Sequence, residues 1–339
     1  MENAAILTDR QTNRLTYIDV FRAFGIILMI MGHIGFGGYF DYFIHAFHMP
    51  MFFLISGRFF PSDCKAIKAS EFLKKKAKTL LLPYIIFGLF HYAVWLVMNY
   101  PDISLKPLKS LLFINTDNLP IAGALWFLTA LFFSEIFYFV IVRFINNVIV
   151  RNLVIGGVAL FGCVSGFIIP FQLPWSLGAA FVGVGLLHIG FLWKRYTENA
   201  IVLRITSMRV FEWVILGIAA TALIALNGYI NMRTGSYAII PLFWINVILA
   251  VIVGINLSKA IVQALPDRIV EFLCSVGKNS IIYVCFNQLV ISPGKRFLEA
   301  VSIPSAVDKL ILLAFTMIIL YLLALCFTNS KLKICIGRF

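Results

Sequence analysis

Charged residues are scarce in this chain, and acidic residues are the scarcest of them. Only 13% of its 339 residues are charged, with 15 acidic against 28 basic side chains. Soluble domains carry roughly twice that share of charge, so the composition excludes an ordinary soluble protein. Long polar segments are also missing, because the stretches between apolar runs reach only about 20 residues and cannot bury a core of their own. Any catalysis, transport or binding must therefore occur within the apolar part of the chain.

A disulfide framework is likewise not indicated. The six cysteines fall mostly inside apolar runs, where pairing patterns of secreted domains are not found. The formal net charge of +13 does not predict a nucleic-acid partner, because the basic residues lie almost entirely in short loops between apolar runs. Their placement is explained by the positive-inside rule of membrane proteins.

Hydrophobic residues, in contrast, make up 61% of the chain, and the mean hydropathy is +0.95. Apolar runs long enough to cross a bilayer recur from one end of the chain to the other. The predicted spans are residues 18–37, 41–60, 79–99, 123–144, 152–170, 175–193, 210–228, 238–260, 271–292 and 307–328. We therefore expect an all-α integral membrane protein: a single bundle of about ten transmembrane helices, forming one domain over residues 1–339 with no fused extracytoplasmic domain.

The distribution of Lys and Arg predicts the orientation of this bundle. Most of the 28 basic residues fall on the side of the N-terminus, and few fall on the opposite side. Those few are Lys106, Lys109, Arg233, Lys295 and Arg296. The asymmetry predicts that both termini are cytoplasmic. The expected location is the cell membrane, as a multi-pass protein of a bacterial cytoplasmic membrane.

Ionisable residues inside the predicted spans are functional candidates, because each costs several kcal/mol in a bilayer unless it is paired or hydrated. Asp19, Arg22 and His33 lie on the first span. Arg22 and His33 are eleven residues apart, so they share one helix face about 16 Å apart along the axis. Asp19, three residues before Arg22, is placed to pair with it, either at the site or as an interfacial anchor.

Three histidines are predicted to lie at similar depth. His45 and His48 begin the second span, and a short turn brings them near His33 at the end of the first. Such a cluster fits a metal site, but no carboxylate or cysteine joins it at ligand spacing. We expect no metal, and favour a histidine acting as a base or proton donor. His91 and His188 are interpreted as core residues.

The inner side also carries a cationic cluster. The run "KKKAKTLLLPY" (74–84) places lysines just before a span, and Arg22 and Arg58 lie at the same mouth. These residues serve membrane topology, and they would also attract an anionic ligand such as a phosphate-bearing cofactor.

Several motifs together resemble the acyltransferase-3 family, whose members O-acylate cell-surface glycans and other acceptors. They are "RAFGIILMIMGH", "HAFHMPMFFLISGRFF", the basic run before "LLLPY", "GALWFLTALFF" and "VGKNSIIYV", in that order over nearly the whole chain. The resemblance implies about ten helices with the N-terminus inside, a catalytic His33 and Arg22 as its partner. Lys75 and Lys78 stand where the family usually has an Arg-x-x-Arg pair. Phe286 stands where a histidine often occurs, so no role is carried to it.

The function implied by this resemblance is O-acyl transfer, with acetyl as the default group. Acetyl-CoA or another acyl-CoA would be the donor, and a hydroxyl of a glycan or its precursor the acceptor. The donor phosphates are expected on Arg22, Arg58, Lys75 and Lys78, with Asp19 orienting Arg22. His33 would act as general base or as a transient acyl carrier, and His45 or His48 would polarise the thioester or share the proton. Trp126 and Glu135 are expected to line the substrate cavity.

Two other interpretations remain open on the sequence alone. Ser56 is the alternative nucleophile, although it lacks the strand-turn-helix context of a nucleophile elbow. The alternative function is a transporter or flippase of a glycan or lipid-linked precursor, in which His33, Asp19 and Glu135 form a proton relay. The inner basic cluster and the lack of an internal repeat favour the acyl-CoA enzyme.

Overall fold

The computed structural model describes residues 2–114, 122–301 and 305–338, and these are mostly helical. The first helices are α1 Glu2–Ile34, α2 Gly38–His45, α3 Pro50–Arg58, α4 Ala69–Lys76, α5 Leu82–Met98, α6 Lys106–Lys109 and α7 Trp126–Phe144. The rest are α8 Val148–Ile168, α9 Leu177–Arg195, α10 Ala200–Ile205, α11 Val210–Asn227, α12 Ile240–Ala264, α13 Asp267–Lys278, α14 Ser280–Val301 and α15 Ser305–Thr328.

Short elements join these helices. A π-helical turn at Ala77–Leu81 makes α4 and α5 continuous, and a second one, Ser110–Ile114, follows α6. Short 3₁₀ turns occur at Pro174–Ser176 and Lys331–Ile336. Between α11 and α12, a small antiparallel hairpin pairs β1 Ile230–Asn231 with β2 Ser236–Tyr237.

The predicted helical membrane bundle is confirmed. Within the described residues, eight helices are long and apolar enough to cross a membrane, and α13 with α14 provides a ninth span if the bent pair is counted as one. The chain is therefore a multi-pass membrane protein. Two of the ten predicted spans are not single straight helices, and both differences shape the site.

The predicted span 41–60 is divided into α2 and α3 by a turn over residues 46–49. Pro50 is the first residue of α3, a position that suits a residue without a backbone N–H donor and with a fixed φ. Irregular backbone is tolerated at membrane depth where it is enclosed by protein or lines a cavity. This break carries His45 and His48, so its position is consistent with a functional cavity.

The predicted span 271–292 is bent by 84° between α13 and α14. One side of α13 is buried through Val270, Leu273 and Cys274, while its start and end carry charged residues. An amphipathic helix of this kind suits a boundary between core and solvent better than a membrane span. The bend lets α13 and α14 pack on different parts of α1, since Gly277 of α13 lies beside Asp19 and Gln288 of α14 lies beside His33.

Glycines set the tightest helix contacts. A Cβ atom at Gly57 of α3 would lie 2.0 Å from the carbonyl oxygen of Leu187 on α9, and one at Gly190 would lie 1.8 Å from that of Leu54. Only a residue without a side chain permits this approach of the two backbones. The contact fixes the end of α3, and with it Arg58.

Two ends of the bundle matter for function. We call the end that holds Arg22, Arg58 and α4 the arginine end, and the end that holds His33 and His45 the histidine end. Helix α1 connects them, with Asp19 and Arg22 near one and His33 in its last turn at the other.

Candidate active site

The three predicted histidines share one cavity. His33, His45 and His48 line a space of about 110 Å³, which we call the histidine cavity. Trp126 and Arg233 complete much of its wall, together with the backbone of the segment that precedes α7. The cavity thus lies where the end of α1, the break between α2 and α3, the start of α7 and the hairpin meet.

His45 and His48 are both tied to the backbone of their own segment. The Nδ1 atom of His45 lies 2.7 Å from the carbonyl oxygen of Asp41, and that of His48 lies 2.6 Å from the carbonyl oxygen of Ile44. Their rings meet edge to face with centroids 5.1 Å apart. These bonds hold the two imidazoles in fixed orientations on the cavity wall.

His33 is held by a residue that the sequence did not single out. Its Nδ1 atom lies 3.1 Å from Nε2 of Gln288 on α14, and Oε1 of Gln288 accepts a hydrogen bond of 3.1 Å from the backbone N–H of Gly123. The signal that would have found Gln288 is an amide side chain in an otherwise apolar segment, two residues beyond Phe286.

Of Trp126 and Glu135, only Trp126 is among the described residues that line the histidine cavity. Glu135 is 2% exposed; its Oε1 atom accepts hydrogen bonds from Ser56 Oγ at 2.6 Å and from Lys76 Nζ at 2.8 Å. Neither Glu135 nor Ser56 is among the described residues that line the histidine cavity. Their contacts instead join α3, α4 and α7 near the arginine end.

The predicted pair of Asp19 and Arg22 is formed at the arginine end. Arg22 Nη1 donates to Asp19 Oδ1 at 3.1 Å, and Lys278 Nζ lies 3.9 Å from Asp19 Oδ2. The guanidinium of Arg22 also lies 5.0 Å from the ring centroid of Phe59. Arg22 is thus oriented by Asp19 as expected, and Lys278 is an additional cation beside the pair.

Arg58 lines a separate pocket of about 500 Å³ at the arginine end, which we call the Trp193 pocket. The guanidinium of Arg58 stacks 4.1 Å from the centroid of Trp193. Lys259 also lines this pocket, donates to the carbonyl oxygen of Thr206 and lies 5.1 Å from the ring centroid of Tyr17. On the sequence alone, Lys259 is one of the many basic residues that the positive-inside rule explains, because its partners are distant in the chain.

Lys75 and Lys78, the other predicted phosphate ligands, are exposed on α4 and on the π-helical turn that follows it. They are not among the described residues that line the Trp193 pocket. The lysine between them in sequence, Lys76, is the one turned toward the core, where it pairs with Glu135.

The remaining histidines lie apart from this cavity. His91 is fully buried, and His188 hydrogen-bonds to the hydroxyl of Tyr138 at 3.0 Å. No group of three or more His, Cys, Asp or Glu side chains in the described part of the chain is placed to hold a metal ion.

Comparison with known proteins indicates a family. The sequence model of the acyltransferase-3 family, described as an acyltransferase domain, matches residues 15–328. No curated protein and no solved structure matches the chain significantly.

Proposed function

Because the chain belongs to the acyltransferase-3 family, we propose that this membrane acyltransferase is an O-acyltransferase, with an acetyl group as its default cargo. The donor is acyl-CoA, and the acceptor is a hydroxyl of a cell-surface glycan or its precursor. The family match supports acyl transfer in general, and the arrangement of the two pockets supports these finer assignments.

The observation that carries the proposal is the placement of a cationic pocket and a histidine cavity toward opposite ends of the bundle. Arg22 and His33 lie on one helix, separated by a rise of about 16 Å. The pantetheine arm of CoA is an extended chain that suits such a span. It would carry the thioester to the histidine cavity while the nucleotide stays at the arginine end.

The Trp193 pocket is the proposed site of the CoA nucleotide. Arg58 and Lys259 supply positive charge on its wall, and Trp193 and Tyr17 supply aromatic surface. Arg22, Lys75 and Lys78 lie at the same end and would raise the local concentration of an anionic donor. Arg58 is well suited to phosphate, because its guanidinium presents a planar array of donors.

The histidine cavity is the proposed site of the reaction. The acceptor hydroxyl oxygen attacks the thioester carbonyl carbon, and a histidine takes the hydroxyl proton. The C–S bond then breaks, and the CoA thiolate receives that proton, giving the ester and free CoA. His33, His45 and His48 surround this space, and Trp126 provides an apolar wall.

The proposed orientation follows from these assignments. CoA is a cytosolic metabolite, so the arginine end would face the cytosol and both termini would lie on that side. The histidine end would open toward the outer side of a bacterial cytoplasmic membrane, where the glycan arrives. The loop charges agree with this orientation.

Purified protein in nanodiscs tests the function with radiolabelled acetyl-CoA, with free thiol and transferred label as readouts. We expect slow thiol release even without an acceptor, and its loss in His33→Ala. His188→Ala is the matched control, because His188 contacts Tyr138 outside the cavity, and it should retain activity. Turnover in His33→Ala equal to that of the wild type would contradict the proposed site.

A second experiment tests the donor pocket. Lys259→Met and Arg58→Lys should raise the KM for acetyl-CoA at least several-fold, because each removes or alters a cation on the pocket wall. Lys75→Ala combined with Lys78→Ala should raise it less, since these side chains lie outside the pocket. An unchanged KM in Lys259→Met and Arg58→Lys would contradict the nucleotide assignment.

The transporter alternative gains no support from the structure. Its proton relay requires Glu135 to exchange protons with His33, yet Glu135 is buried against Lys76 and Ser56 and is not among the described residues lining the histidine cavity. The family match also points to group transfer.

A further inference from the structure

The hydrogen bonds of Gln288 determine which ring nitrogen of His33 carries the proton. The backbone N–H of Gly123 can only donate, so the Gln288 atom facing it must be the carbonyl oxygen Oε1. The amide nitrogen Nε2 then faces Nδ1 of His33. An amide N–H is a donor without acceptor capacity, so Nδ1 of His33 must accept. In the neutral ring, the proton is therefore on Nε2 of His33.

His45 and His48 have the opposite arrangement. Each Nδ1 atom faces a backbone carbonyl oxygen, which can only accept a hydrogen bond. Both rings therefore carry their proton on Nδ1, and their Nε2 atoms are unprotonated bases. The cavity thus combines one imidazole that presents an N–H donor with two that present an acceptor nitrogen.

We infer that Gln288 is a positioning residue that fixes His33 as a hydrogen-bond donor, while the His45–His48 pair supplies the base. This inference rests on the proposed function and divides its catalytic roles. His33 Nε2–H would donate to the thioester oxygen, where negative charge develops during attack. Nε2 of His45 or His48 would accept the proton of the acceptor hydroxyl.

The reaction balances with these groups alone. The hydroxyl proton moves to Nε2 of the base as the C–O bond forms, and the resulting oxyanion is stabilised by His33. Collapse of the intermediate breaks the C–S bond, and the imidazolium returns its proton to the departing thiolate. Arg233 also lines the cavity, and Asp41 lies beside His45, so both belong to the electrostatic environment of these steps.

Gln288→Glu is the sharpest perturbation, because it preserves the shape of the side chain and replaces its donor with an acceptor. A carboxylate would draw a proton onto Nδ1 of His33 and reverse its tautomer. We expect kcat to fall at least tenfold at neutral pH, with the KM for acetyl-CoA unchanged. The kcat of Gln288→Met should lie between those of Gln288→Glu and the wild type. Asn287→Ala is the matched control on the same helix, because within the described residues the Asn287 amide donates to carbonyl groups of α14 itself.

Histidine substitutions distinguish donor from base. His33→Gln retains an N–H donor of similar length, so its kcat should exceed that of His33→Ala at least tenfold. The decrease of kcat at low pH, which reports protonation of the base and is called the acid limb, should survive in His33→Gln. In the double variant His45→Gln, His48→Gln, the acid limb should disappear together with most of the activity. Loss of that limb in His33→Gln would overturn the division of roles.

Nitrogen-15 spectra of histidine-labelled protein in nanodiscs test the tautomers without relying on activity. The wild type should show His33 protonated on Nε2, and Gln288→Glu should shift the proton to Nδ1. A wild-type His33 protonated on Nδ1 would overturn the inference even if acetyl-CoA is turned over. Absence of thiol release by a folded wild type with the expected tautomers would instead contradict the proposed function.

Discussion

Lys76 provides a direct test of how this bundle holds its arginine end together. The Lys76–Glu135 pair has an N–O distance of 2.8 Å, with side chains 22% and 2% exposed. Oε1 of Glu135 also accepts from Ser56, whereas its Oε2 is buried and has no hydrogen-bond partner among the described residues. Lys76 is thus the cation that balances a buried carboxylate shared by α3, α4 and α7.

Lys76→Met should therefore destabilise the protein strongly. Removing one partner of a buried ion pair leaves an uncompensated charge, which costs about 3–5 kcal/mol. Lys75→Met is the matched control, since Lys75 is the preceding residue and is exposed; its effect should stay within about 0.5 kcal/mol. Adding Glu135→Gln to Lys76→Met should recover part of the loss, because the buried group is then neutral.

The assay is reversible unfolding in mixed detergent micelles, from which the free energy of unfolding of each variant is obtained. The double-mutant cycle isolates the pair, and a coupling energy of about 0.5–3 kcal/mol is expected between contacting residues. Equal stability of Lys76→Met and Lys75→Met would refute the reasoning. The reasoning would also be refuted if the effects of Lys76→Met and Glu135→Gln on the free energy of unfolding were strictly additive.

Two further predictions concern the scaffold of the site. Gly57→Ala places a Cβ 2.0 Å from a backbone oxygen of α9 and should lower the yield of folded protein. Gly156→Ala on α8 is the control, because its Cβ meets nothing within 4 Å and the yield should be unchanged. The yield of folded protein is measured as the monodisperse fraction in size-exclusion chromatography. Arg143 donates to the carbonyl oxygen of Cys64 at 2.8 Å. Burial raises the pKa of the Cys64 thiol to about 11. Because the thiolate is the reactive form, maleimide labelling of Cys64 at pH 7 should be slow. The charge of Arg143 lowers this pKa, so Arg143→Ala should raise it further and slow labelling still more; faster labelling in this variant would contradict that account.

The general features of the fold could be predicted from the sequence because spanning segments of membrane proteins are recognised by their apolar length. Spanning runs identified the bundle, and helical geometry alone placed Arg22 and His33 on one face of α1. The spacing of Asp19 and Arg22 also predicted their pairing, since both residues lie within one turn of the same helix. These predictions depend only on local periodicity.

The remaining features depend on contacts between distant segments, which periodicity does not encode. The break before Pro50 was missed because the run 41–60 is long enough and apolar enough in its mean composition to be counted as one span. Among the neighbouring lysines, Lys75 is exposed and Lys76 is half-buried, and it is Lys76 that pairs with Glu135 of α7. Gln288 was missed for the same reason, since its partners are 255 and 165 residues away in the chain.

The bent pair α13 and α14 explains how both functional ends of α1 are held at once. At the arginine end, Gly277 allows α13 to pack so closely that a Cβ there would lie 2.0 Å from the carbonyl oxygen of Asp19, and Lys278 then reaches the Asp19 carboxylate. After the 84° bend, α14 brings Gln288 to His33. A straight helix over the same residues could not approach Asp19 from the side and still run along α1 to its histidine end. The bend therefore lets residues 277–288 contact both Asp19, which orients Arg22, and His33, at the two ends of α1 that the proposed reaction uses.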